Sequence, residues 1–384
     1  MELTKCKLGE LITQRREKND GSDLPICGVS KDGLIPPKQK DADTSIYKVF
    51  YRDDFIFNPA RMELNSIAIN DMYDRAICSS LYEVFYVHRT DLLLPHYLKL
   101  IIRQKWFTHY CEFLGQGSAR EYCRFGNISE IEIEFPPIEE QQKIVDYNTA
   151  IENRIALKQK INDNLVAIGT ASIQKNVGRG ALINLTEAEM DRLTFPKDFK
   201  VENVSEFCIE TKSGSTPSRT TKEYWKNGTI SWVKSGEVHN NITLQTEEYI
   251  TPLGLTESST KLLPKDTVLM AMYGVTAGEV GYLAIEATTN QAICGMICHS
   301  EAEAAYLYFS LIQSQAAISR LSNGGAQDNL SKNFIDNIKI VVPPSKFIEK
   351  LNLAAIVEQM TLNTKEIILL EELQATVLAQ LSSR

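Results

Sequence analysis

The polar and reactive side chains of this chain form few of the arrangements that catalysis needs. Asn58-Pro59-Ala60-Arg61 begins like the Asn-Pro-Pro-aromatic loop that holds a flipped adenine, but it lacks the second proline and the stacking ring. Gly115-Gln116-Gly117 does not lie between a strand and a cofactor-binding helix, and no Gly-x-x-x-x-Gly-Lys phosphate loop occurs. The five histidines form no Ser/His/Asp or metal signature. These motifs predict no active site.

Paired acids and scattered thiols have simpler interpretations than catalysis. Asp53-Asp54 and Glu247-Glu248 lie in polar stretches without a lysine at nuclease-like spacing, which favours solvated turns. The eight cysteines occur singly, and only Cys294 and Cys298 lie close together, in a strand-like run. We interpret them as reduced core thiols and expect no metal site.

What remains is a set of polar loops with basic and aromatic members, which indicate recognition rather than catalysis. In the second half, residues 212–219 precede Tyr224-Trp225 and the segment 230–236. Hydroxyl groups, cations and backbone amides of such loops can grip phosphates. The competing interpretation is an ordinary surface turn.

Length and composition indicate a folded chain of two or three domains. Of 384 residues, 43% are hydrophobic and 23% charged, which excludes disordered, collagenous and disulfide-scaffold proteins. No run of about 18 apolar residues occurs, and residues 1–7 lack the apolar segment of a signal peptide. We therefore expect a cytoplasmic protein without membrane contact. The net charge of −8 argues against nucleic-acid binding by bulk electrostatics alone.

An internal repeat with a period of about 200 residues organises the chain. Residues 114–137 and 321–344 align without gaps at a constant offset, share eight identities and both end in Pro-Pro. Two shorter matches lie upstream: Ala76-Ile77-Cys78 with Ala292-Ile293-Cys294, and Leu8-Gly9-Glu10-Leu11 with Val204-Ser205-Glu206-Phe207. Each half is predicted to hold short strands, a short helix, a Gly-rich turn, a last strand and a long helix.

The last strand and the long helix of the first half are the clearest elements. Residues 131–135 alternate apolar and polar side chains like a half-buried strand, which Pro136-Pro137 ends. Glu139 and Glu140 suit the first turn of a helix. Its apolar stripe comprises Ile144, Tyr147, Ile151, Ile155, Ile161, Leu165 and Ile168.

A second amphipathic segment follows Pro343-Pro344 and includes Leu351 and Leu373. A helix of about 38 residues would be about 57 Å long, more than a domain of this size needs. This length favours a mutual coiled coil over two helices buried separately in their own domains. The predicted divisions are domain 1–138, helix and linker 139–197, domain 198–344 and helix 345–384. The predicted fold class is α+β, with two globular mixed α/β domains separated by the two helices.

At the start of the second half, four pieces of sequence resemble the opening of a target recognition domain in the specificity subunits of type I restriction-modification systems. These pieces are Ser213-Gly214-Ser215-Thr216-Pro217-Ser218, Tyr224-Trp225, Gly228 and Ile230-Ser231-Trp232. That family has Gly-Gly-Thr-Pro-Ser, Tyr-Trp and Ile-Pro-Trp there, so Ser215 and Ser231 are departures. Residues 136–145 resemble the Pro-Pro-x-Glu-Glu-Gln start of the family's conserved helix. The segment after Pro344 keeps the prolines and lacks Glu-Gln.

The resemblance spans essentially the whole chain and implies a division of labour. Each domain would read one half of a split DNA sequence, and the two helices would pair antiparallel as a spacer. The subunit itself would be non-catalytic and would bind two methyltransferase subunits together with restriction and translocase subunits. S-adenosylmethionine, ATP and Mg would then belong to those partners, which could also supply the phosphate contacts that an acidic chain lacks.

Candidate site residues follow from the loops and the helices together. The candidates near DNA are Arg15, Lys38, Arg61 and Arg120 in the first half, and Lys212, Ser218, Arg219, Lys234 and Tyr273 in the second. The candidates for subunit docking are Glu140, Gln141, Ile144, Ile151, Ile155, Leu165, Leu351 and Leu373. Because the halves differ outside the shared segments, we expect an asymmetric target. The alternatives are a coiled-coil adaptor that binds proteins, and an orphan specificity subunit without a partner enzyme.

Overall fold

The computed structural model divides into two units. It describes residues 3–31, 33–37, 43–115, 122–183, 185, 189, 193–239, 242–322 and 329–382. Unit 1 comprises Met1–Arg154 with Leu370–Arg384, and unit 2 comprises Ile155–Leu369. The candidates Lys38 and Arg120 lie outside the described residues. The domain boundaries drawn from the sequence stay predictions.

Unit 1 contains ten strands and the first part of a long helix among its described residues. The strands are β1 Thr4–Lys7, β2 Ile12–Arg15, β3 Ile26–Ser30, β4 Gly33–Ile35, β5 Lys48–Tyr51, β6 Phe55–Phe57, β7 Ile67–Ile69, β8 Arg75–Cys78, β9 Glu83–Val87 and β10 Glu132–Phe135. The helices are α1 Pro95–Ile102, α2 Lys105–Gly115, α3 Phe125–Ser129 and α4 Ile138–Asn176, which continues into unit 2.

Two four-stranded sheets, ordered β2-β9-β6-β7 and β4-β3-β8-β5, make up unit 1 together with the β1-β10 pair. The core of the first sheet contains Phe55, Phe57 and Phe85, and the rings of Phe55 and Phe85 stack at 5.0 Å. Burial of such large rings supplies much of the free energy that holds this sheet against α1 and α2.

Unit 2 contains elements similar to those of unit 1, with two additional strands among its described residues. Its strands are β11 Ala181–Leu182, β12 Lys200–Asn203, β13 Glu210–Ser213, β14 Ile230–Val233, β15 Ile242–Thr243, β16 Glu248–Ile250, β17 Leu262–Leu263, β18 Thr267–Ala271, β19 Val280–Leu283, β20 Ala287–Thr289, β21 Ile293–Ile297 and β22 Lys339–Val342. Its helices are α5 Val204–Phe207, α6 Pro252–Thr256, α7 Glu301–Ser322, α8 Lys332–Asp336, α9 Ser345–Lys350 and α10 Leu353–Ser382, whose end lies in unit 1.

The strand orders confirm the internal repeat. Unit 2 has sheets ordered β13-β21-β18-β19-β15 and β16-β14-β20-β17, and β22 lies between β11 and β12. The order β13-β21-β18-β19 corresponds to β2-β9-β6-β7, and β16-β14-β20-β17 corresponds to β4-β3-β8-β5. Apart from β11 and β15, each strand of unit 2 pairs with the same neighbours as its counterpart in unit 1, and in the same parallel or antiparallel sense. The two units are therefore copies of one α+β fold.

Hydrogen bonds test the two short sequence matches. Leu8 N donates to Ile131 O at 2.8 Å, and Val204 N donates to Ile338 O at 2.9 Å, so the matched segments play the same part. The match of residues 76–78 with 292–294 is wrong. The former lie in β8, whose counterpart is β20, whereas Cys294 lies in β21, the counterpart of β9. Short buried strands share apolar residue types, so a three-residue identity is weak evidence of equivalence.

The first strand of each repeat pairs with its last. Thr4 pairs with Phe135 in unit 1, and Lys200 pairs with Val342 in unit 2, both antiparallel. This clasp brings the start and the end of each sheet domain side by side.

The long helices pair antiparallel in both units. In unit 2, Lys158 forms an ion pair with Glu366 at 2.7 Å, while Asn162, one turn further along α4, bonds the earlier Asn363. In unit 1, Gln374 Nε2 donates to Asn148 Oδ1 at 3.0 Å. Among the described residues, no helix is long and apolar enough to cross a bilayer.

Two details of the helices differ from the sequence prediction. Tyr147 is 68% and Ile168 55% exposed, so the predicted stripe is wider than the buried face. The predicted helix 345–384 is interrupted, because Asn352 adopts a left-handed conformation (φ 54°) between α9 and α10. Asparagine tolerates this region through its short polar side chain.

Replacing Asn363 with alanine is expected to lower the free energy of unfolding by about 1–3 kcal/mol. The Asn363 side chain is 1% exposed, donates to Asn162 at 2.8 Å and accepts from Lys158 at 3.0 Å. Its removal leaves Asn162 Oδ1 without this donor and takes one acceptor from Lys158, and both of these side chains are half-buried. Urea titration of the variant would measure the loss. Leu362→Ala, at a site 55% exposed, is the control, and an equal loss in both would contradict the role of the buried amide.

Candidate nucleic-acid interface

One end of the five-stranded sheet collects the polar loops of unit 2. Ser213 pairs with Cys294, and Ala271 pairs with Ile293 on the neighbouring strand. The loop after β13 and the β18–β19 hairpin therefore leave the sheet at the same end. The structure thus brings the candidates Lys212 and Tyr273 to one end of the sheet.

Two tryptophans hold the loop that follows β13. Trp232 Nε1 donates to Ser215 O at 3.0 Å, and Trp225 Nε1 donates to Ser218 O at 3.1 Å. Their rings meet edge to face, with centroids 5.0 Å apart. Gly214 is required because a Cβ there would lie 2.2 Å from Asn290 O. The family-like motif thus builds a rigid loop.

Acidic side chains neutralise the cations beside this loop. Arg219 stacks over Trp225 at 3.6 Å and forms an ion pair with Glu248. Lys234 Nζ lies 2.5 Å from Glu247 and 3.4 Å from Glu248. The hydrogen bond from Arg219 holds the pKa of Glu248 below its ordinary value. The expectation that Glu247-Glu248 forms a solvated turn is wrong for Glu248, which is in β16 and paired.

The remaining DNA-contact candidates of unit 2 differ in whether another side chain already engages them. Lys212 is in an ion pair with Glu210 at 2.9 Å, and Ser218 Oγ lies 2.8 Å from Thr220 Oγ1. Tyr273 is 41% exposed. Its hydroxyl makes no hydrogen bond to any residue that the structure describes.

In unit 1, Arg15 is engaged inside its own domain. Its guanidinium donates to Asp54 at 2.6 and 3.1 Å and lies over the rings of Tyr51 and Tyr86 at 4.7 and 4.6 Å. Asp54 is only 2% exposed and also accepts from Tyr51 N at 2.8 Å. The expectation of a solvated Asp53-Asp54 turn is therefore wrong for Asp54. The Arg15–Asp54 ion pair therefore joins β2 to the residue that precedes β6.

Arg61 is the exposed candidate of unit 1. It lies on the β6–β7 hairpin, the counterpart of the β18–β19 hairpin that carries Tyr273. No carboxylate in the described parts of the chain forms an ion pair with it. A groove of about 1250 Å³ adjoins it, with Leu64, Leu81 and Tyr82 in its wall.

The sequence reasoning missed two exposed apolar residues on these hairpins. Leu64 is 60% exposed, and Val275 is fully exposed. The sequence signal for both was an apolar residue inside a turn. Leu64 precedes Asn65 and Val275 follows Gly274, and Asn65 and Gly274 have positive φ angles.

The docking candidates are distributed over both helices. The prediction that Gln141 docks a partner is wrong, because this residue is fully buried. Its amide donates to Leu92 O and Pro136 O and accepts from Leu94 N. It fastens α4 to its own domain and is closed to a partner. Glu140 is in an ion pair with Lys143 at 2.6 Å. Leu373 is 49% exposed. The half-buried candidates are Ile144, Ile151, Ile155, Leu165 and Leu351.

The cysteines are free thiols, and Cys294 is fully buried in β21. Cys298 is half-buried, with its Sγ 4.0 Å from that of Cys208. Within the described ranges, no group of three or more His, Cys, Asp or Glu side chains could hold a metal ion.

Two copies of a sheet domain, each joined to a long helix of an antiparallel pair, define a tandem-repeat protein. The model of the type I restriction modification DNA specificity domain matches residues 7–167 and again 196–372. The chain belongs to this family of type I restriction-modification specificity subunits, whose general role is DNA sequence recognition.

Individual relatives are distant. The chain is 21% identical over 373 residues to the HindI specificity subunit of Haemophilus influenzae, covering 80% of this chain and 81% of that protein. It is 23% identical over 300 residues to the MjaIX specificity subunit of Methanocaldococcus jannaschii, covering 76% and 69%. The crystal structure of the M. genitalium S subunit superposes with a TM-score of 0.58 at 14% identity, covering 99% and 96%. That likeness supports the fold.

Proposed function

We propose that each sheet domain reads one half of a bipartite, asymmetric DNA sequence and that the paired helices set the spacer. The observation that carries this proposal is the duplicated strand order with different side chains at equivalent hairpins. The β6–β7 hairpin carries Arg61 and Leu64, and the equivalent β18–β19 hairpin carries Tyr273 and Val275. Two readers built alike but bearing different groups imply two different half-sites.

We further propose that the helices dock two methyltransferase subunits, with restriction and translocase subunits joining the complex. Exposed apolar residues support a protein contact there. They are Tyr147 and Leu373 in unit 1, and Leu157, Ile168, Leu362 and Leu369 in unit 2. S-adenosylmethionine, ATP and Mg²⁺ are assigned to the partners, and this chain is assigned no catalytic step. Because the chain is acidic, the partners are also assigned much of the phosphate contact.

Co-expression with a matching adenine methyltransferase subunit, followed by genome-wide mapping of methylated adenines, tests the proposal. A split, asymmetric motif is the expected result. A palindromic motif would contradict two different readers. A complex without any motif would favour an orphan or regulatory subunit, and no complex at all would favour the protein adaptor.

The variant Glu248→Gln is expected to bind DNA more tightly at low salt and with a steeper salt dependence, by up to about one unit in the log–log slope. It frees Arg219 and weakens the hold on Lys234. Titrations of the purified complex with duplex DNA at several salt concentrations measure this. Glu257→Gln, whose carboxylate accepts from Tyr224, is the control. Equal slopes for wild type and Glu248→Gln would contradict the prediction.

The same pair has a pH signature. Since the pKa of Glu248 lies below its ordinary 4.5, the pair contributes stability that is complete above pH 4.5 and is lost as the pH falls through the lowered pKa. The melting temperature of Glu248→Gln should therefore lie below that of wild type at neutral pH. The two should converge in acid.

A further inference from the structure

Two hairpins occupy the same place in the two recognition domains. The β6–β7 and β18–β19 hairpins hold equivalent positions in their sheets. Phe57 pairs with Glu83, next to the partner of Arg15, and Ala271 pairs with Ile293, next to the partner of Ser213. Each tip therefore leaves its sheet beside the loop that follows the first strand of that sheet. We call residues 58–66 the first tip and residues 272–279 the second tip.

The first tip is closed and anchored. Asn58 N donates to Ser66 O at 2.9 Å, and Met62 is 2% exposed beneath the turn. Arg61 and Leu64 point outward from this support. Burial of Leu64 contributes little to stability, because this residue is 60% exposed.

The second tip is also closed and anchored, but by different residues. Gly278 N donates to Ala271 O at 2.8 Å, and Met272 is 1% exposed. Tyr273 and Val275 project into solvent, and the Val275 side chain contacts almost nothing of its own chain. A rigid backbone holds an apolar group and a polar group at the end of this hairpin, as in the first.

A single exposed apolar residue is ordinary on a protein surface, but each of the two equivalent tips carries one beside an exposed polar side chain, Arg61 or Tyr273. We propose that the two tips are the base-reading elements of the two domains. Arg61 pairs with the acceptor edge of a guanine, and the Tyr273 hydroxyl bonds a base edge. Leu64 and Val275 contact thymine methyl groups in the major groove. This inference rests on the proposed function and names the residues that carry its specificity.

Arg61→Met and Val275→Ser, each in the full chain with its methyltransferase subunits, test the assignment. We expect Arg61→Met to change the accepted bases in one half of the methylated motif and to weaken binding of the wild-type site about tenfold or more. Val275→Ser should change only the other half. Met72→Ala and Ile209→Ser, at exposed positions at the opposite ends of the two sheets, are matched controls and should leave the motif unchanged.

The outcomes separate this inference from the proposed function. An unchanged motif in both tip variants, with a normal split motif in wild type, overturns the tips as readers and leaves the function standing. A wild-type complex without a split motif overturns both. Where a tip variant loses methylation, the near-isosteric Val275→Thr and the charge-conserving Arg61→Lys decide. A changed base preference at an unaltered melting temperature supports a contact with DNA, and a lowered melting temperature in both overturns it.

Discussion

Alanine in place of Gly214 is expected to destabilise the second sheet domain by about 1–3 kcal/mol and, under the proposed function, to abolish reading of its half-site. The added Cβ would lie 2.2 Å from both Asn290 O and Thr289 Oγ1. Both atoms belong to the buried end of β20 and the residue after it, which cannot yield without moving the loop. The hydrogen bond from Ser215 N to Thr289 O, at 2.9 Å, would be lost with it.

Thermal unfolding of the purified chain and methylation mapping of the complex measure the two effects of Gly214→Ala. Gly236→Ala is the matched control, because a Cβ at Gly236 meets no atom within 4 Å and the residue belongs to the same domain. Equal stability of the two variants would show that the loop after β13 can shift to accept a side chain, contrary to the packing described above.

Asp54→Ala is expected to lower the free energy of unfolding by about 3–5 kcal/mol. It removes the carboxylate that pairs with Arg15 and accepts from Tyr51 N. Arg15, whose side chain is 24% exposed between two rings, would keep its charge without a partner. Denaturant titration gives the free energy directly.

The control for Asp54→Ala is Asp74→Ala in the same domain. Asp74 also pairs with an arginine, Arg52, at 2.9 Å, but the aspartate is 94% and the arginine 49% exposed. Surface pairs of this kind contribute about 0–1 kcal/mol. If both variants lost the same stability, the burial of the Arg15–Asp54 pair would not be what gives it its strength.

Local pattern was enough to predict the elements that proline and period define. The alternation of residues 131–135 and Pro136-Pro137 predicted the strand and the following helix, and β10 and α4 are observed as Glu132–Phe135 and Ile138–Asn176. The break at Asn352 escaped prediction because neither proline nor glycine marks it. Its conformation depends on how α9 and α10 pack, which the sequence pattern does not express.

The state of the charged candidates depends on partners distant in sequence. Arg15 meets Asp54 only because β2 and β6 share the neighbour β9, and Arg219, in the loop after β13, meets Glu248 of β16. Residue type therefore identified cations but not which of them are already neutralised. The hairpins that carry Arg61 and Tyr273 are recognisable as counterparts only from the strand orders of the two units.

The clasp of first and last strands affects how a sheet domain can be exchanged between related genes. Because Thr4 lies opposite Phe135, and Lys200 opposite Val342, the chain enters and leaves each sheet domain at neighbouring points. A foreign domain with the same clasp could replace either one as a single uninterrupted segment. Genetic exchange within the stretches that encode the long helices would then produce a new combination of the two sheet domains in one event.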